Sequence, residues 1–390
     1  MDQHITNPIK FKGKGGEFFG IWIVNILLSI VTLGVYSAWA KVRTKCYFYG
    51  NTHLAGDGFE YHAQPMQILK GRLVALVALS IWGIANSFSP TASVALLLLF
   101  YIALPWLLWS NARFDAAMTS YRNVHFSFNA PLKAAYKMIL GREITALIVV
   151  SLYFAIVVFA AKASMVLGIV FGLFSFIVLA MVYAWITAGL HTYFSNGFQF
   201  GEWKLNAELD TRFFIKTYLK AMAFAIVAAI VLMIAIFSTV LSGADFDAIQ
   251  SGDFTSLMGE SSFGVFFISY VGSIVLTIGL TAYTTTRVRN YIFSQLIAKV
   301  QQADRVEYQF HSSMTARGYT WLVVSNFLLQ VFSLGLARPW VMVRTSRYIA
   351  DNTAVFGDMS LLKASDQSSN VKSAISDEMA QAFDVGMGIG

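Results

Sequence analysis

The chain is short of charge. Only 13% of its 390 residues are Asp, Glu, Lys or Arg, whereas 57% are hydrophobic and the mean hydropathy is positive. A soluble domain carries about 25% charged residues, and its interior grows too slowly with size to hide so much apolar surface. The composition therefore predicts a protein whose surface is largely solvated by lipid.

Cysteine is almost absent as well, because Cys46 is the one cysteine of the sequence. A single cysteine excludes an intramolecular disulfide framework and a cysteine metal cluster. The six histidines lack the spacing of zinc ligands, and no G-x-S-x-G element marks a nucleophile. We therefore expect no enzyme, no cofactor and no bound metal.

Carboxylates are missing from every long apolar run. Crossing about 30 Å of hydrocarbon takes roughly 20 apolar residues, and backbone groups in lipid must be satisfied within their own helix. The absence of Asp and Glu is unfavourable to a carboxylate-based proton-coupled transporter. We predict an all-α transmembrane protein, a polytopic helical bundle with about eight apolar segments. They are 18–40, 72–89, 91–112, 144–162, 166–190, 219–241, 263–286 and 319–337.

Positive charge is confined to alternate connectors. Most Lys and Arg residues lie in four connectors, and the intervening connectors hold only Lys162 and a group of carboxylates between 242 and 262. Positive charge is retained on the cytoplasmic side of a membrane. The net charge of +7 therefore points to anionic phospholipid headgroups as partners and not to nucleic acid. The basic connectors are 41–72, 113–142, 191–220 and 287–317.

Two distant segments of the chain repeat each other. Residues 25–57 and 326–358 align without a gap, and 14 of 33 positions are identical, including Trp, Arg, Tyr, Asn and Asp. Weaker copies follow in 104–114, in 182–196 and in 282–293. Short alternating runs come after most copies, which predicts short strands in the cytoplasmic connectors. Internal repetition of this kind sets the architecture of a protein. The runs are Phe59-Glu60-Tyr61, Phe126-Ser127-Phe128, Phe198-Gln199-Phe200 and Tyr308-Gln309-Phe310.

The first and last apolar segments leave two arrangements open. If both cross the membrane straight, the basic residues at the two ends of the chain lie outside, against the usual charge rule. If Leu33-Gly34 and Leu334-Gly335 are tight turns, both segments are re-entrant hairpins with cytoplasmic feet. In either case we expect one polytopic membrane domain over residues 1–358. A polar tail over 359–390 is predicted to be disordered.

The segment TLGVYSAWAKVRTKCYFYGNT, which is followed by an F-x-Y element, resembles the YjgN family of bacterial multi-pass inner-membrane proteins. The resemblance covers roughly residues 8–358. It implies a location in the cell inner membrane and a multi-pass topology. It supplies no catalytic residues, because the family is one of unknown function.

Matched polar residues in the two strong copies are the candidate site residues. Asn25 and Asn326 lie within apolar segments. They are candidate intramembrane polar contacts, either to a substrate or to a neighbouring helix. Arginine and tyrosine four residues apart share one helix face, which suits either a phosphate clamp or an interfacial anchor. The candidate headgroup contacts are Arg43, Tyr47, Arg344 and Tyr348.

Two functions fit these features. The first is transport or permeation of a small solute or lipid, because repeated helical units around an axis are a common transporter plan. The alternative is a membrane-organising scaffold that binds anionic lipid or a partner without transport. The sequence identifies the bilayer as a partner, and it identifies no protein partner.

Overall fold

The computed structural model describes residues 5–242, 262–300, 307–362 and 364. In this part of the chain, one unit occurs five times: a strand, two antiparallel helices and a strand. The helices are α1 Gly15–Val31, α2 Ser37–Gly50, α3 Pro65–Phe88, α4 Pro90–Ala117, α5 Leu132–Ala163, α6 Met165–Ser195, α7 Thr211–Ser242, α8 Ser262–Gln295, α9 Ala316–Phe332 and α10 Arg338–Asp351. Helix α5 contains a π-helical turn at Lys137–Gly141.

The strands are all short. They are β1 Thr6–Pro8, β2 Lys10–Phe11, β3 Thr52–Leu54, β4 Asp57–Tyr61, β5 Thr119–Tyr121, β6 Val124–Phe128, β7 Phe198–Phe200, β8 Trp203–Ala207, β9 Leu296–Val300, β10 Glu307–Ser312 and β11 Thr353–Phe356.

The prediction of an all-α fold is wrong. The strands join into one 11-stranded antiparallel sheet in the order β1-β11-β10-β9-β8-β7-β6-β5-β4-β3-β2. Its two edge strands are separated only by Ile9, whose N–H donates to the Thr353 carbonyl at 2.9 Å, and the Lys12 N–H donates to the Asn51 carbonyl at 2.9 Å. The sheet is therefore a nearly closed ring, which leaves few exposed strand edges.

The physical reason for the error lies in the strand partners. Each alternating run in the sequence is only a few residues long, and several of its partners belong to another unit. Strands β1 and β11 pair across almost the whole chain, with Thr6 opposite Phe356. A short run shows its own pattern but not its partner, so isolated strands were predicted where a continuous ring exists.

Six helices, α3 to α8, are long and apolar enough to cross a membrane. Helix α1 has 17 residues and is about 26 Å long, which is shorter than the hydrocarbon layer of about 30 Å. The pairs α1–α2 and α9–α10 are hairpins that begin and end at ring strands, so they do not have the straight arrangement. The long helices also extend beyond the predicted spans at the end nearest the ring.

The hairpin turns have the same backbone conformation in both copies. Leu33 and Gly34 have φ values of 50° and 89°, and Leu334 and Gly335 have φ values of 50° and 87°. Glycine adopts the left-handed region without steric cost, which explains the glycine at the second position of each turn. The basic connectors carry the ring strands, so the charge rule places the ring on the cytoplasmic side. The acidic residues of 243–261 and most of the polar tail lie outside the described residues.

The well-packed core lies in the ring. A cluster of buried residues from the strands and the turns between them packs inside the ring. Its members are Leu54, Tyr121, Val124, Phe200, Trp203, Ala298, Tyr308, Val355 and Met359. Burial raises the pKa of the Tyr121 hydroxyl, which donates to the Leu54 carbonyl at 2.7 Å. By contrast, the most apolar 18 residues of α6 and of α8 include no buried residue. Lipid is therefore the main contact of the membrane-spanning parts.

Ring closure predicts a specific disulfide. Thr6→Cys combined with Phe356→Cys, in a Cys46→Ala background, should cross-link when the purified protein is oxidised. Opposed residues of antiparallel strands have Cα atoms about 4.5–5.5 Å apart, which is within disulfide range. The cross-link is measured by cutting the chain with a protease between the two cysteines and running a non-reducing gel, on which a disulfide keeps the two fragments together. Thr6→Cys with Ser127→Cys is the control, and equal cross-linking of the two pairs would contradict the closed ring.

Candidate functional site

The five units share one register. We count back from the first residue of the strand that follows the second helix of each unit. An aromatic residue lies 13 positions earlier in all five described units, at Trp39, Trp106, Trp185, Tyr283 and Trp340. Another lies five positions earlier, at Tyr47, Phe114, Tyr193, Tyr291 and Tyr348. The second unit is therefore aligned on Trp106, which lies within the weaker copy seen in the sequence at 104–114.

Tyrosines at the later aromatic position fasten the two helices of a unit together. The Tyr47 hydroxyl accepts from the Lys14 N–H at 2.8 Å, and the Tyr291 hydroxyl accepts from the Asp210 N–H at 2.8 Å. Each backbone partner directly precedes the first helix of its unit. Two further pairs use the carbonyl of that residue: Tyr193 with Pro131 at 3.5 Å and Tyr348 with Thr315 at 3.3 Å. We call these four contacts the tyrosine clasps.

The second unit lacks a clasp for a chemical reason. Its equivalent residue is Phe114, which has no hydroxyl and is fully buried. The residue before its first helix, Gln64, forms a capping box with Gln67. A side-chain cap therefore satisfies the helix terminus in the one described unit without the tyrosine.

Arg43 and Asn25 bind each other within the first hairpin. Arg43 Nη1 donates to Asn25 Oδ1 at 3.2 Å and to the Tyr36 hydroxyl at 3.0 Å. Asn25 Nδ2 donates to the Ala40 carbonyl at 3.4 Å, and the Asn25 side chain is buried. These bonds link α1 to α2.

The second copy uses different partners for the same purpose. Asn326 Nδ2 donates to Thr345 Oγ1 at 3.1 Å, and Arg344 Nη2 donates to Ser325 Oγ at 2.9 Å. The six residues singled out by the sequence thus lie in contacts within the two end hairpins, and none lines the cavities described next. Headgroup contact by the two arginines and two tyrosines stays a prediction.

Two adjoining cavities lie where the helices meet the ring. The larger has a volume of about 650 Å³ and is lined by residues from all five units. The smaller has a volume of about 540 Å³. They share six residues: Phe194, Phe198, Arg289, Phe293, Leu296 and Ile349. On α4, α8 and α10, the lining positions recur every three or four residues, as expected for one helix face.

Polar or charged side chains occur at the position seven residues before the strand that follows the second helix, in four of the five described units. Its occupants are Lys45, Ala112, His191, Arg289 and Ser346. Ala112, Arg289 and Ser346 line the larger cavity, and His191 and Arg289 line the smaller one. Sequence reasoning missed this position because its residue differs in every unit. Helical spacing from the repeated aromatic residues was the signal that could have identified it.

An ion pair joins the first two units beside the larger cavity. Lys45 Nζ lies 2.6 Å from Asp115 Oδ1, and both side chains are partly exposed. Lys45 Nζ also lies 4.8 Å from the centroid of the Tyr61 ring. The negative charge of Asp115, which lines the cavity, is therefore compensated by a neighbouring unit.

Two buried polar atoms of the cavity wall have no hydrogen-bond partner in the described residues. They are Arg289 Nε and Asn111 Oδ1. The other wall residues are mainly aromatic and aliphatic. A site of this composition can bind an amphiphile, with a polar group at Arg289 and Asn111 and an apolar body among the phenylalanines. The described residues contain no group of three or more side chains that could hold a metal ion.

Helix lengths give the depth of this site. Helix α8 has 34 residues and is about 51 Å long, so it exceeds the hydrocarbon thickness of about 30 Å by several turns. Arg289 lies six residues before its end at Gln295. The cavities therefore lie near the headgroup layer of the cytoplasmic leaflet.

A ring of short strands that carries five helical hairpins, six of whose helices can span a bilayer, defines a class of polytopic membrane protein. The chain belongs to the family described as "Bacterial protein of unknown function (DUF898)", which matches residues 6–382.

Curated relatives extend over nearly the whole chain. Inner membrane protein YjgN of Salmonella typhimurium (strain LT2) is 27% identical over 374 residues, which are 93% of this chain and 91% of that protein. Inner membrane protein YjgN of Escherichia coli O157:H7 is 26% identical, covering 91% of this chain and 89% of that protein. The protein of the same name from Escherichia coli strain K12 is 25% identical with the same coverage. No solved structure matches the chain.

These relatives confirm the family resemblance seen in the sequence. Together with the six candidate spans, they confirm a multi-pass protein of the bacterial inner membrane.

The clasps predict a loss of stability on removal of one hydroxyl. Tyr291→Phe should reduce the free energy of unfolding by about 1 kcal/mol, the net contribution of a typical intramolecular hydrogen bond. Thermal unfolding in detergent measures the change. Tyr270→Phe, on the exposed part of the same helix, is the matched control. Equal melting temperatures for the two variants would count against the clasp.

The ion pair predicts a modest coupling between two units. In a double-mutant cycle, Lys45→Met and Asp115→Asn should show a coupling energy of about 1 kcal/mol, because partly exposed pairs are screened by solvent. Reversible unfolding of the wild type, both single variants and the double variant gives the coupling. Strictly additive effects would show that the pair does not stabilise the contact between units.

Proposed function

We propose that this inner-membrane protein binds an amphiphile drawn from the cytoplasmic leaflet, as the binding step in transport of a lipid or small solute. The observation that carries the proposal is the larger cavity, which we call the axial cavity because residues from all five units line it. Its wall is mainly aromatic and apolar, and it also contains Arg289, Asn111 and Asp115, whose carboxylate is paired with Lys45. The cavity lies near headgroup depth.

The surroundings of the cavity favour a lipid over a water-soluble ligand. The most apolar stretches of the six spans are at most 22% buried, so lipid tails surround the hairpins above the ring. An acyl chain from the bilayer would find apolar surroundings both on the hairpins and among the aromatic side chains of the cavity wall. A hydrophilic solute would have to leave water first, at a cost for each unpaired polar group.

A second candidate is a lipid-binding scaffold without transport. The apolar cluster of the ring favours it, because buried residues such as Trp203 and Tyr308 pack together there and leave little room for a polar path. In this case Arg43 and Arg344 bind anionic headgroups around the outside of the hairpins, as the sequence suggested. For both candidates we propose a non-enzymatic activity, since the Asp115 carboxylate beside the cavity is held by Lys45.

A cavity-filling variant tests the binding step. Ser346→Trp should reduce the amount of lipid that co-purifies with the protein, because an indole would occupy much of the space beside Ser346 in the cavity. Quantitative mass spectrometry of lipid per chain gives the readout. Leu152→Trp, on an exposed position of α5, is the control. If both variants retain the wild-type amount and composition of lipid, the cavity is not the lipid site.

Transport is tested separately from binding. Proteoliposomes with a headgroup-fluorescent lipid in both leaflets should lose more than half of their fluorescence to an external reductant if the protein moves lipid between leaflets. The Ser346→Trp variant should leave the inner-leaflet signal protected. Protection of that signal by the wild-type protein as well would favour the scaffold.

A further inference from the structure

We propose that Arg289 is an anion-binding residue, and that the ligand of the axial cavity carries a carboxylate or phosphate group. This inference rests on the proposed binding function and adds the chemical class of the ligand. It begins with position: Arg289 is on the inner face of α8 and lines both cavities. A group bound to it would therefore lie where the two cavities meet.

The guanidinium has unused hydrogen-bonding capacity. Arginine has five N–H donors. Among the described residues, Arg289 Nη2 donates to Thr353 Oγ1 at 3.2 Å, and the buried Nε has no partner. The guanidinium carbon lies 4.4 Å from the centroid of the Phe293 ring, so the ring packs against the guanidinium without accepting an N–H···O hydrogen bond from it.

The charge of Arg289 has no carboxylate partner in the described residues, unlike the charges of Lys45 and Arg122. Lys45, at the equivalent position of the first unit, pairs with Asp115 at 2.6 Å. Arg122 pairs with Asp57 at 2.6 Å. A desolvated, unpaired charge is strongly unfavourable, so a bound anion would contribute stabilisation that the protein itself does not supply.

The chemistry of arginine narrows the ligand class further. Its planar fork binds carboxylate and phosphate oxygens through two parallel hydrogen bonds. The phenylalanines shared by the two cavities, Phe194, Phe198 and Phe293, suit the apolar body of an amphiphile. The cytoplasmic leaflet presents anionic lipids at this depth. A lipid with an anionic headgroup combines both features, whereas a free phosphate supplies only the anion.

The full-length protein in a neutral detergent provides the test. Phosphatidylglycerol, phosphatidylcholine, oleate and inorganic phosphate are titrated separately, and ligand binding is measured as an increase in melting temperature. The wild type should bind phosphatidylglycerol and oleate at least tenfold more tightly than phosphatidylcholine. Competition by millimolar phosphate indicates that the anionic group is recognised in isolation. If inorganic phosphate binds but phosphatidylglycerol and oleate do not, the result supports an anion site and assigns it to a soluble ligand.

Variants at two neighbouring arginines make the test specific. Arg289→Gln should abolish the preference for anionic ligands, and Arg289→Lys should weaken it because the two-point geometry is lost. Arg287→Gln, two residues away on the exposed side of α8, is the matched control and should behave as the wild type. Melting without ligand shows that each variant is folded.

The outcomes separate this inference from the proposed function. If Ser346→Trp reduces lipid binding but Arg289→Gln keeps the wild-type preference, the cavity binds lipid and the role of Arg289 is wrong. Equal binding of anionic and zwitterionic lipid by the wild type also overturns the inference. If Ser346→Trp has no effect either, the proposed function fails as well.

Discussion

Hydrogen bonds from Ile9 to Thr353 and from Lys12 to Asn51 close the ring on which the other features of this protein depend. Isolated pairs of strands this short are at best marginally stable in water. Closure gives each of the eleven strands its place in one ladder. The N-terminal segment therefore acts as the final piece of the ring, because it pairs with β11 on one side and with β3 on the other.

The ring fixes the arrangement of the membrane helices. Helices in lipid gain little from mutual apolar burial, since lipid tails are equally apolar. Here the helices are fixed at their cytoplasmic ends by the strands that follow them and by the tyrosine clasps. The second helix of each unit is thereby held with one face toward the centre of the ring. The cavities form between those faces. The hairpins themselves need only enough packing to remain antiparallel, which agrees with the low burial of their most apolar stretches.

Similar units thus build a site that is not symmetric. The aromatic residues 13 and five positions before each strand maintain the scaffold. The position seven residues before each strand, which lines a cavity in four of the five described units, has diverged to lysine, alanine, histidine, arginine and serine. Lys45 is matched by Asp115 from the next unit, whereas Arg289 donates to the Thr353 hydroxyl and packs on the Phe293 ring. Functional specificity in such a protein is expected where the repeat is broken and not where it is kept. The two asparagines and two arginines that repeat faithfully in 25–57 and 326–358 lie instead in contacts between hairpin helices.

The sequence by itself determined that lipid surrounds much of the chain and that its units repeat, and it predicted the membrane orientation. Those properties depend on composition, on spacing along one helix and on the distribution of basic residues, and each can be seen within a single segment. Even the turns at Gly34 and Gly335 were visible as one of two arrangements. Only the tertiary structure decided that the short alternating runs form one ring. It also decided that Lys45, His191 and Arg289 occupy the same position in three units of that ring, seven residues before the following strand. These features depend on hydrogen bonds and contacts between residues far apart in the chain, such as Thr6 and Phe356. A local pattern does not specify such partners, because many pairings of short strands satisfy the same alternation.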